Sequence, residues 1–271
     1  PRALALAETV WTRPENKDWD NFKEKMGQQY QLLDARDVNY HIAAPEGLKQ
    51  GLTLSEEVEI TLSTPYEDAK IYYTLDGSEP DISAEVYSDP LTLNIAEGSI
   101  QVKAVTITSS GQSSAVVEGS YSKAELREPA TPQTLSPGLT TRLFKGNFNA
   151  VRRIGGPSDV LYTSDKIELP KDQPEQFGLI LQGFITVPED GIYTFYTSSD
   201  DGSVLNIGNK VVVNNDGLHG AQERSGEIAL KAGIHPMLIR YFEAGGGESL
   251  KAYISGPYMD KMEISAEMLS H

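Results

Sequence analysis

The sequence predicts a mainly β protein: two consecutive β-sandwich domains, the first small and immunoglobulin-like, preceded by a short helical segment. Three observations support this prediction. Apolar and polar residues alternate at period two in stretches such as EVEITL and SIQVKAVT. Turn-forming pairs, Asp76-Gly77 and Ser110-Gly111 among them, separate such stretches. Helical spacing of apolar residues is confined to the beginning of the chain.

The composition excludes several classes of partner. The 271 residues include 23 Lys and Arg against 39 Asp and Glu, a formal net charge of −16. Such a surface repels nucleic acid and anionic membranes. No apolar run approaches the roughly 20 residues that span a bilayer. Cysteine is absent, so neither a disulfide framework nor thiolate chemistry is expected.

Two amphipathic helices are predicted at the start of the chain. Pro14 ends the first, and Asn16 or Asp18 is suited to cap the second. Two helices alone make a poor core, so their apolar faces must pack against other parts of the protein. The residues at helical spacing are Ala3, Ala7, Val10 and Trp11 in the first helix, and Trp19, Phe22, Met26, Tyr30 and Leu33 in the second.

Composition divides the chain into four segments. Residues 1–42 form the helical segment, and residues 43–124 form the small sandwich. Residues 125–137 contain three prolines and few apolar side chains, which is typical of a linker or a surface strap. Residues 138–271 form the second sandwich, with predicted turns at 189–191, 201–202 and 208–209.

The helical segment resembles the end of the catalytic barrel of family-twenty glycoside hydrolases, the β-N-acetylhexosaminidases. The stretches PRALALAETVW, KDWDNF and LLDARDVNY carry this resemblance. In that family they belong to the last helical layer of an eight-stranded (β/α)8 barrel. The resemblance implies packing roles for Arg2, Glu8 and Trp11.

Both predicted sandwiches also resemble known domains. IYYTLDGSEPD, VYSDPLTL and QVKAVT are similar to the small C-terminal domain of chitobiase-type enzymes, whose members act mostly as structural accessories. The stretch from GFITVPEDGIYTFYTSSDDGSVLNIGNKVVVNNDGLHG to LKAGIHPMLIRYFEAGGGESL resembles the protective-antigen-type β-sandwich, which is appended to glycosidases, adhesins and toxins.

Catalytic chemistry of the resembled hydrolases is missing from the chain. Those enzymes use an adjacent Asp-Glu pair, and no such dipeptide occurs here. Because the resemblance covers only the end of the barrel, we expect the barrel's catalytic strands to lie upstream of residue 1. The chain alone is therefore expected not to hydrolyse glycosides. The parent protein is expected to be a bacterial β-N-acetylhexosaminidase that is secreted, periplasmic or on the cell surface.

A candidate site lies in YTSSDDGSVLNIGNKVVVNNDGLHG. Adjacent side chains of a regular strand point to opposite faces, so Asp200 and Asp201 share one cation only where the chain leaves the strand. The resemblance implies such a place, because calcium-dependent sugar-binding members of the family have a cis Asp-Asp pair. The candidate carbohydrate-binding residues are Asp200, Asp201, Asn214, Asn215 and His219, and the candidate calcium ligands are Asp200, Asp201 and Asn215.

Three functions remain open from the sequence. The first is a non-catalytic accessory region of a hexosaminidase, in contact with its barrel and binding glycans that contain N-acetylhexosamine through calcium. The second is a structural brace or oligomerisation module without a ligand, in which DDGS and NNDG are ordinary turns. The third is an intact enzyme with an unrecognised site.

Overall fold

The computed structural model describes residues 2–36, 38–95 and 98–271. Pro1 and Asp37 are outside these ranges, so the stretches PRALALAETVW and LLDARDVNY are described only in part. The described residues form two compact units, Pro1–Lys123 and Ala124–His271. Each unit has its own core and its own sheets.

The two predicted helices are present in the first unit. Helix α1 spans Arg2–Trp11 and helix α2 spans Trp19–Asp34. Of the two candidate caps, Asp18 is the one that acts, since its Oδ1 accepts a hydrogen bond of 2.7 Å from the backbone N–H of Asn21. Asn16 instead lies in a short 3-10 turn.

The first unit contains a small β-sandwich. Five strands pair in the order β1-β7-β6-β3-β4, with β1 parallel to β7, and β2 pairs with β5 in a second sheet. Inward side chains of both sheets form one core around Ile60, Val102 and Ala104. The strands are β1 (Gln50–Thr53), β2 (Glu57–Ile60), β3 (Lys70–Thr74), β4 (Glu85–Val86), β5 (Leu91–Asn94), β6 (Ser99–Ile107) and β7 (Val117–Lys123).

The turn-forming pair Asp76-Gly77 lies in the connection between two antiparallel strands, as expected. The connection is longer than two residues, because β3 ends at Thr74 and its partner β4 begins only at Glu85. Asp76 accepts hydrogen bonds from the backbone and side chain of Ser78. This local bonding organises the start of a longer connection.

The second unit is a larger sandwich. One sheet has the order β13-β12-β15-β10-β8-β9 with β18 added on β10, and the other has the order β14-β11-β16-β17. The strands are β8 (Leu139–Lys145), β9 (Val160–Ser164), β10 (Phe177–Val187), β11 (Gly191–Asp200), β12 (Ser203–Ile207), β13 (Lys210–Asn215), β14 (Gln222–Leu230), β15 (Gly233–Glu243), β16 (Ser249–Gly256), β17 (Met259–Glu263) and β18 (Leu269–Ser270).

Period-two burial explains this core. Every second residue of β11 is buried, and the inward residues Tyr193 and Phe195 are fully buried. They pack against inward residues of the seven-stranded sheet, including Leu205, Ile239 and Tyr241. The mainly β fold class, with two sandwiches after a short helical segment, is thereby confirmed.

Residues 125–137 follow the surface of the second unit. The backbone N–H of Arg127 donates to the carbonyl of Ala229 at 3.0 Å, and that of Ala130 donates to Ile234 at 2.7 Å. These bonds are those of a surface strap.

The topology brings three chain segments to one rim of the second sandwich. Strand β11 ends at Asp200, and β12 begins at Ser203, which pairs with both Asn215 and Tyr241. The end of β11, the closing end of the β12–β13 hairpin and the end of β15 therefore meet. Within the described ranges, no helix is long and apolar enough to cross a membrane.

Candidate cation site

The chain leaves β11 between the two predicted aspartates. The Asp200–Asp201 peptide bond is cis, and Gly202 connects it to β12. Carboxylate oxygens of Asp200, Asp201 and a third residue, Glu243, all lie within 4.8 Å of one another. The two neighbouring side chains therefore reach one point, as the sequence analysis required for a shared cation.

Glu243 was missed by the sequence analysis. It is the last residue of β15 and is 1% exposed, although Glu is almost never buried without a partner. It lies 42 residues after Asp201 along the chain, in YFEAGGGE, and no local pattern links the two. The available signal was period-two alternation in β15, which places Glu243 on the same inward face as Ile239 and Tyr241.

Asp201 is held by two loops. Its Oδ1 accepts a hydrogen bond of 2.9 Å from the backbone N–H of His219, in the loop after β13. Its Oδ2 accepts one of 3.0 Å from the N–H of Ala244, in the loop after β15. The 6% exposed carboxylate thus fixes both loops at the rim.

Tyr241 connects the other two acids. Its hydroxyl lies 2.5 Å from the carbonyl oxygen of Asp200 and 3.0 Å from Oε2 of Glu243. The Oε1 of Glu243 accepts a hydrogen bond of 2.7 Å from the N–H of Gly245. Burial raises the pKa of the Glu243 carboxyl; its two hydrogen bonds oppose this shift, and the nearby Asp201 and Asp200 carboxylates add to it.

Asn215 lies at the buried side of this rim and is 2% exposed. Its Nδ2 donates to Oγ of Ser199 at 3.0 Å and to the carbonyl of Gln222 at 3.2 Å. Its Oδ1 is buried and has no hydrogen-bond partner among the residues that the structure describes. A buried hydrogen-bond acceptor without a partner lowers the stability of a folded protein, and a cation is one group that can bind such an oxygen.

A β-bulge decides which of the two neighbouring asparagines faces inward. In the β12–β13 hairpin Leu205 pairs with Val213 but Asn206 pairs with Val211, so Val212 is the extra residue. The alternation shifts by one at this point, which makes Asn215 the inward residue. The structure leaves Asn214 exposed, with its Oδ1 accepting the N–H of Asp216 at 3.2 Å.

The His219 side chain stays within its loop. Its Nε2 lies 3.0 Å from the carbonyl oxygen of Asn215, and its Nδ1 lies 2.9 Å from that of Gly220. The ring therefore braces the loop whose backbone binds Asp201. Its contact with the site is through the backbone N–H.

One side of the cluster borders an exposed glycine. Asp200 is partly exposed, and Gly247 lies so close that a β-carbon there would be 2.9 Å from Oδ2 of Asp200. The exposed glycine leaves this carboxylate accessible from solvent. Three carboxylates and an amide oxygen are hard oxygen donors of the kind that calcium prefers, so the residues present fit a calcium ion.

Two segments match known domain families. Residues 48–118 match the family model of the chitobiase/β-hexosaminidase C-terminal domain. Residues 135–267 match the family model of the PA14 domain. Both domain resemblances stated from the sequence are confirmed.

A curated protein matches most of the chain. It is a β-hexosaminidase of Porphyromonas gingivalis (strain ATCC BAA-308 / W83), 27% identical over 251 residues. The match covers 88% of this chain but only 31% of that protein. The chain thus spans about a third of the length of the curated relative.

Comparison with solved structures finds similar chains among PA14 and adhesin domains. The PA14 domain of MpAFP antifreeze protein is 16% identical, with a TM-score of 0.45, covering 53% of this chain and 95% of that one. The PA14 sugar-binding domain from an RTX adhesin is 19% identical, with a TM-score of 0.44, covering 50% and 99%. The epithelial adhesin 6 A domain of Candida glabrata, in complex with Galβ1-3GlcNAc, is 12% identical, with a TM-score of 0.43, covering 51% and 88%.

Proposed function

We propose that this chain is a non-catalytic accessory region of a β-N-acetylhexosaminidase, and that its second sandwich binds carbohydrate through a calcium ion. The observation that carries the proposal is the rim where carboxylate oxygens of Asp200, Asp201 and Glu243 lie within 4.8 Å of one another. The chitobiase/β-hexosaminidase and PA14 matches support the context.

Electrostatics favours a cation at this rim. Three carboxylates at such distances repel one another, and repulsion in a partly buried place is weakly screened. A divalent cation offsets this repulsion, and we propose the buried Oδ1 of Asn215, which has no hydrogen-bond partner among the described residues, as a further ligand. Calcium takes about 6–8 oxygen ligands, so the side chains leave positions for backbone oxygens, water or a ligand.

The open side of the rim fits a polyhydroxylated ligand. Asp200 is accessible beside Gly247, so a bound ion is within reach of hydroxyl groups from solvent. A pair of sugar hydroxyls supplies the neutral oxygen ligands that complete such a shell. Because the family context is a hexosaminidase, we propose glycans that contain N-acetylhexosamine as ligands.

The helices α1 and α2 support a second part of the proposal, a contact with the catalytic barrel of the same protein. Trp11 is 85% exposed and Trp19 is 68% exposed, and no residue of α1 is buried. Large apolar side chains exposed to this extent support a surface that another protein segment covers. We further propose that the protein to which this chain belongs is secreted, periplasmic or on the cell surface.

The binding proposal is tested by glycan-array binding of the chain with calcium and with chelator. Binding is expected only with calcium, and the melting temperature is expected to rise with millimolar calcium. At a hundredfold excess over the dissociation constant the added stability is about 2.7 kcal/mol. Asp201→Asn is expected to abolish both effects, because a neutral amide is a weaker ligand than a carboxylate.

The matched control is Asp190→Asn. Asp190 also accepts a backbone hydrogen bond in a turn, from Ala232 at 2.7 Å, but it belongs to the β10–β11 turn, outside the carboxylate cluster. It should retain the calcium response. A wild-type melting temperature that ignores calcium, together with an absence of glycan binding, supports the structural alternative of a brace without a ligand. Glycan binding that persists in chelator contradicts the role of calcium but not carbohydrate binding.

A further inference from the structure

A chain of buried hydroxyl groups lies beneath the candidate cation site. Thr197, Ser199 and Ser203 are fully buried, and Asn215 is 2% exposed. Thr197 and Ser199 belong to β11 in the four-stranded sheet, whereas Ser203 and Asn215 belong to the seven-stranded sheet. The four polar side chains therefore join the two sheets across the sandwich at the rim.

The hydrogen bonds among these four side chains all run in one direction, from Asn215 towards Thr197. Ser203 Oγ donates to Oγ1 of Thr197 at 3.0 Å, so its proton is used there. The contact of 2.8 Å between Ser199 Oγ and Ser203 Oγ is then donated by Ser199. Ser199 accepts in turn from Nδ2 of Asn215 at 3.0 Å. Ser203 and Ser199 thus each donate one hydrogen bond and accept one, and Thr197 accepts the last.

This direction fixes the orientation of the Asn215 amide. A second acceptor, the carbonyl oxygen of Gln222, lies 3.2 Å from Nδ2 and has no proton to give. Rotating the amide by half a turn would place Oδ1 against that carbonyl oxygen. The amide nitrogen therefore stays on the side of Ser199 and Gln222, and Oδ1 is held away from both, buried and without a partner.

From this arrangement we infer that Ser199 is a positioning residue for cation binding: it orients the Asn215 amide so that Oδ1 is available as a ligand. The inference rests on the proposed cation site. Ser199 does not touch the ion and acts only through Asn215. Groups that orient metal ligands by hydrogen bonds commonly change metal affinity by about 10- to 100-fold when removed.

Terbium(III) luminescence of the whole chain tests this role, with calcium competition as a second titration. Ser199→Ala is expected to weaken binding about 10- to 100-fold. In a double-mutant cycle, Asn215→Ala should weaken binding as well, and adding Ser199→Ala to it should cause little further loss. Independent, additive losses would overturn the inference, because Ser199 would then not act through Asn215.

Thr141→Val is the matched control for lost stability. Thr141 is another fully buried hydroxyl of the same sandwich, bonded to Oγ of Ser164 at 2.6 Å, and Val keeps its shape. It should lower the melting temperature without changing terbium affinity. An equal loss of affinity in Thr141→Val would show that Ser199→Ala acts through stability alone and would overturn the inference.

Two further outcomes separate the inference from the proposed function. Wild-type protein that binds no terbium contradicts the cation site and the inference with it. Wild-type protein that binds, with affinity unchanged by Ser199→Ala, contradicts only the role of Ser199. Where Ser199→Ala does not fold, Ser203→Ala removes the acceptor of the Ser199 proton; weakened binding is expected there, and unchanged binding overturns the inference.

Discussion

The backbone N–H of His219 donates to Oδ1 of Asp201 across 2.9 Å, which ties the loop after β13 to the turn after β11. The Oδ2 of the same carboxylate binds Ala244 in the loop after β15. One aspartate thus holds two loops beside the acid cluster, and both loops become ordered parts of the rim. Changes that break either of these hydrogen bonds are therefore expected to act on ligand binding.

Gly247→Ala should weaken calcium binding by about tenfold, a change of about 1.4 kcal/mol. The new β-carbon would lie 2.9 Å from Oδ2 of Asp200, so the carboxylate must turn away. Isothermal titration with calcium measures the effect. Gly220→Ala is the control, because apart from the glycine and its two chain neighbours no atom of the described residues lies within 4 Å of its β-carbon position. An equal effect of both changes would contradict the steric explanation.

Glu243→Gln should weaken calcium binding by about tenfold or more, because the charge of the ligand set tunes affinity. The same titration measures it. Glu248→Gln removes one charge from the same loop region but lies outside the cluster, hydrogen-bonded to Gln173 at 2.7 Å. Equal losses of calcium affinity in both variants would show that only the net charge of the rim matters. That result would contradict a role of the Glu243 carboxylate as a calcium ligand.

Tyr241→Phe should destabilise the calcium-free second unit by about 1–3 kcal/mol, because two buried oxygens lose their hydrogen-bonding hydroxyl. Urea unfolding in chelator gives the free energy. Tyr258→Phe serves for comparison, since Tyr258 is 100% exposed and its change should stay within about 0.5 kcal/mol. A free energy unchanged by Tyr241→Phe would show that the hydroxyl contacts do not contribute.

Release of a chromogenic group from an N-acetylglucosaminide should not occur with this chain alone. The Asp-Glu dipeptide of the resembled hydrolases is missing from the sequence. Colorimetric assays with a complete hexosaminidase as positive control check this. Turnover that persists through repurification would favour the third alternative, an intact enzyme with an unrecognised site.

Trp11→Gln should change the unfolding free energy of this chain by no more than about 0.5 kcal/mol, because the indole is 85% exposed. Met26→Ala in α2 should cost about 2–5 kcal/mol, because Met26 is 8% exposed. Denaturant unfolding compares the two variants. A large loss from Trp11→Gln would mean that this side chain already packs within the chain, which contradicts its proposed contact with the barrel.

Local patterns were sufficient for much of the fold. Period-two alternation identified the main strands of both sandwiches, since a half-buried strand shows its two faces directly in its residue order. Helical spacing and Pro14 located α1 and α2. The pair Asp76-Gly77 lies in the connection of the predicted hairpin, but the length of that connection was not predicted, because a turn-forming pair does not reveal where the partner strand begins.

Some residues of the candidate site could be predicted from the sequence, and others were identified only by the structure. Asp200 and Asp201 were accessible to sequence reasoning because they are adjacent and lie in a resembled motif, although their roles stay predictions. Glu243 could not be predicted in this way, because its position beside the two aspartates depends on the pairing of β12 with β15. That pairing joins distant parts of the chain. The choice between Asn214 and Asn215 depends on a bulge at Val212, which a run of three valines does not reveal.

The sequence by itself therefore determined the β-sandwich class, the domain resemblances and the position of an adjacent acid pair. Only the tertiary structure decided that a third carboxylate joins this pair and that Asn215 faces the interior. Local patterns report which face of a strand is buried. Strand register and bulges, which pair distant residues, decide which side chains from different strands meet at one point.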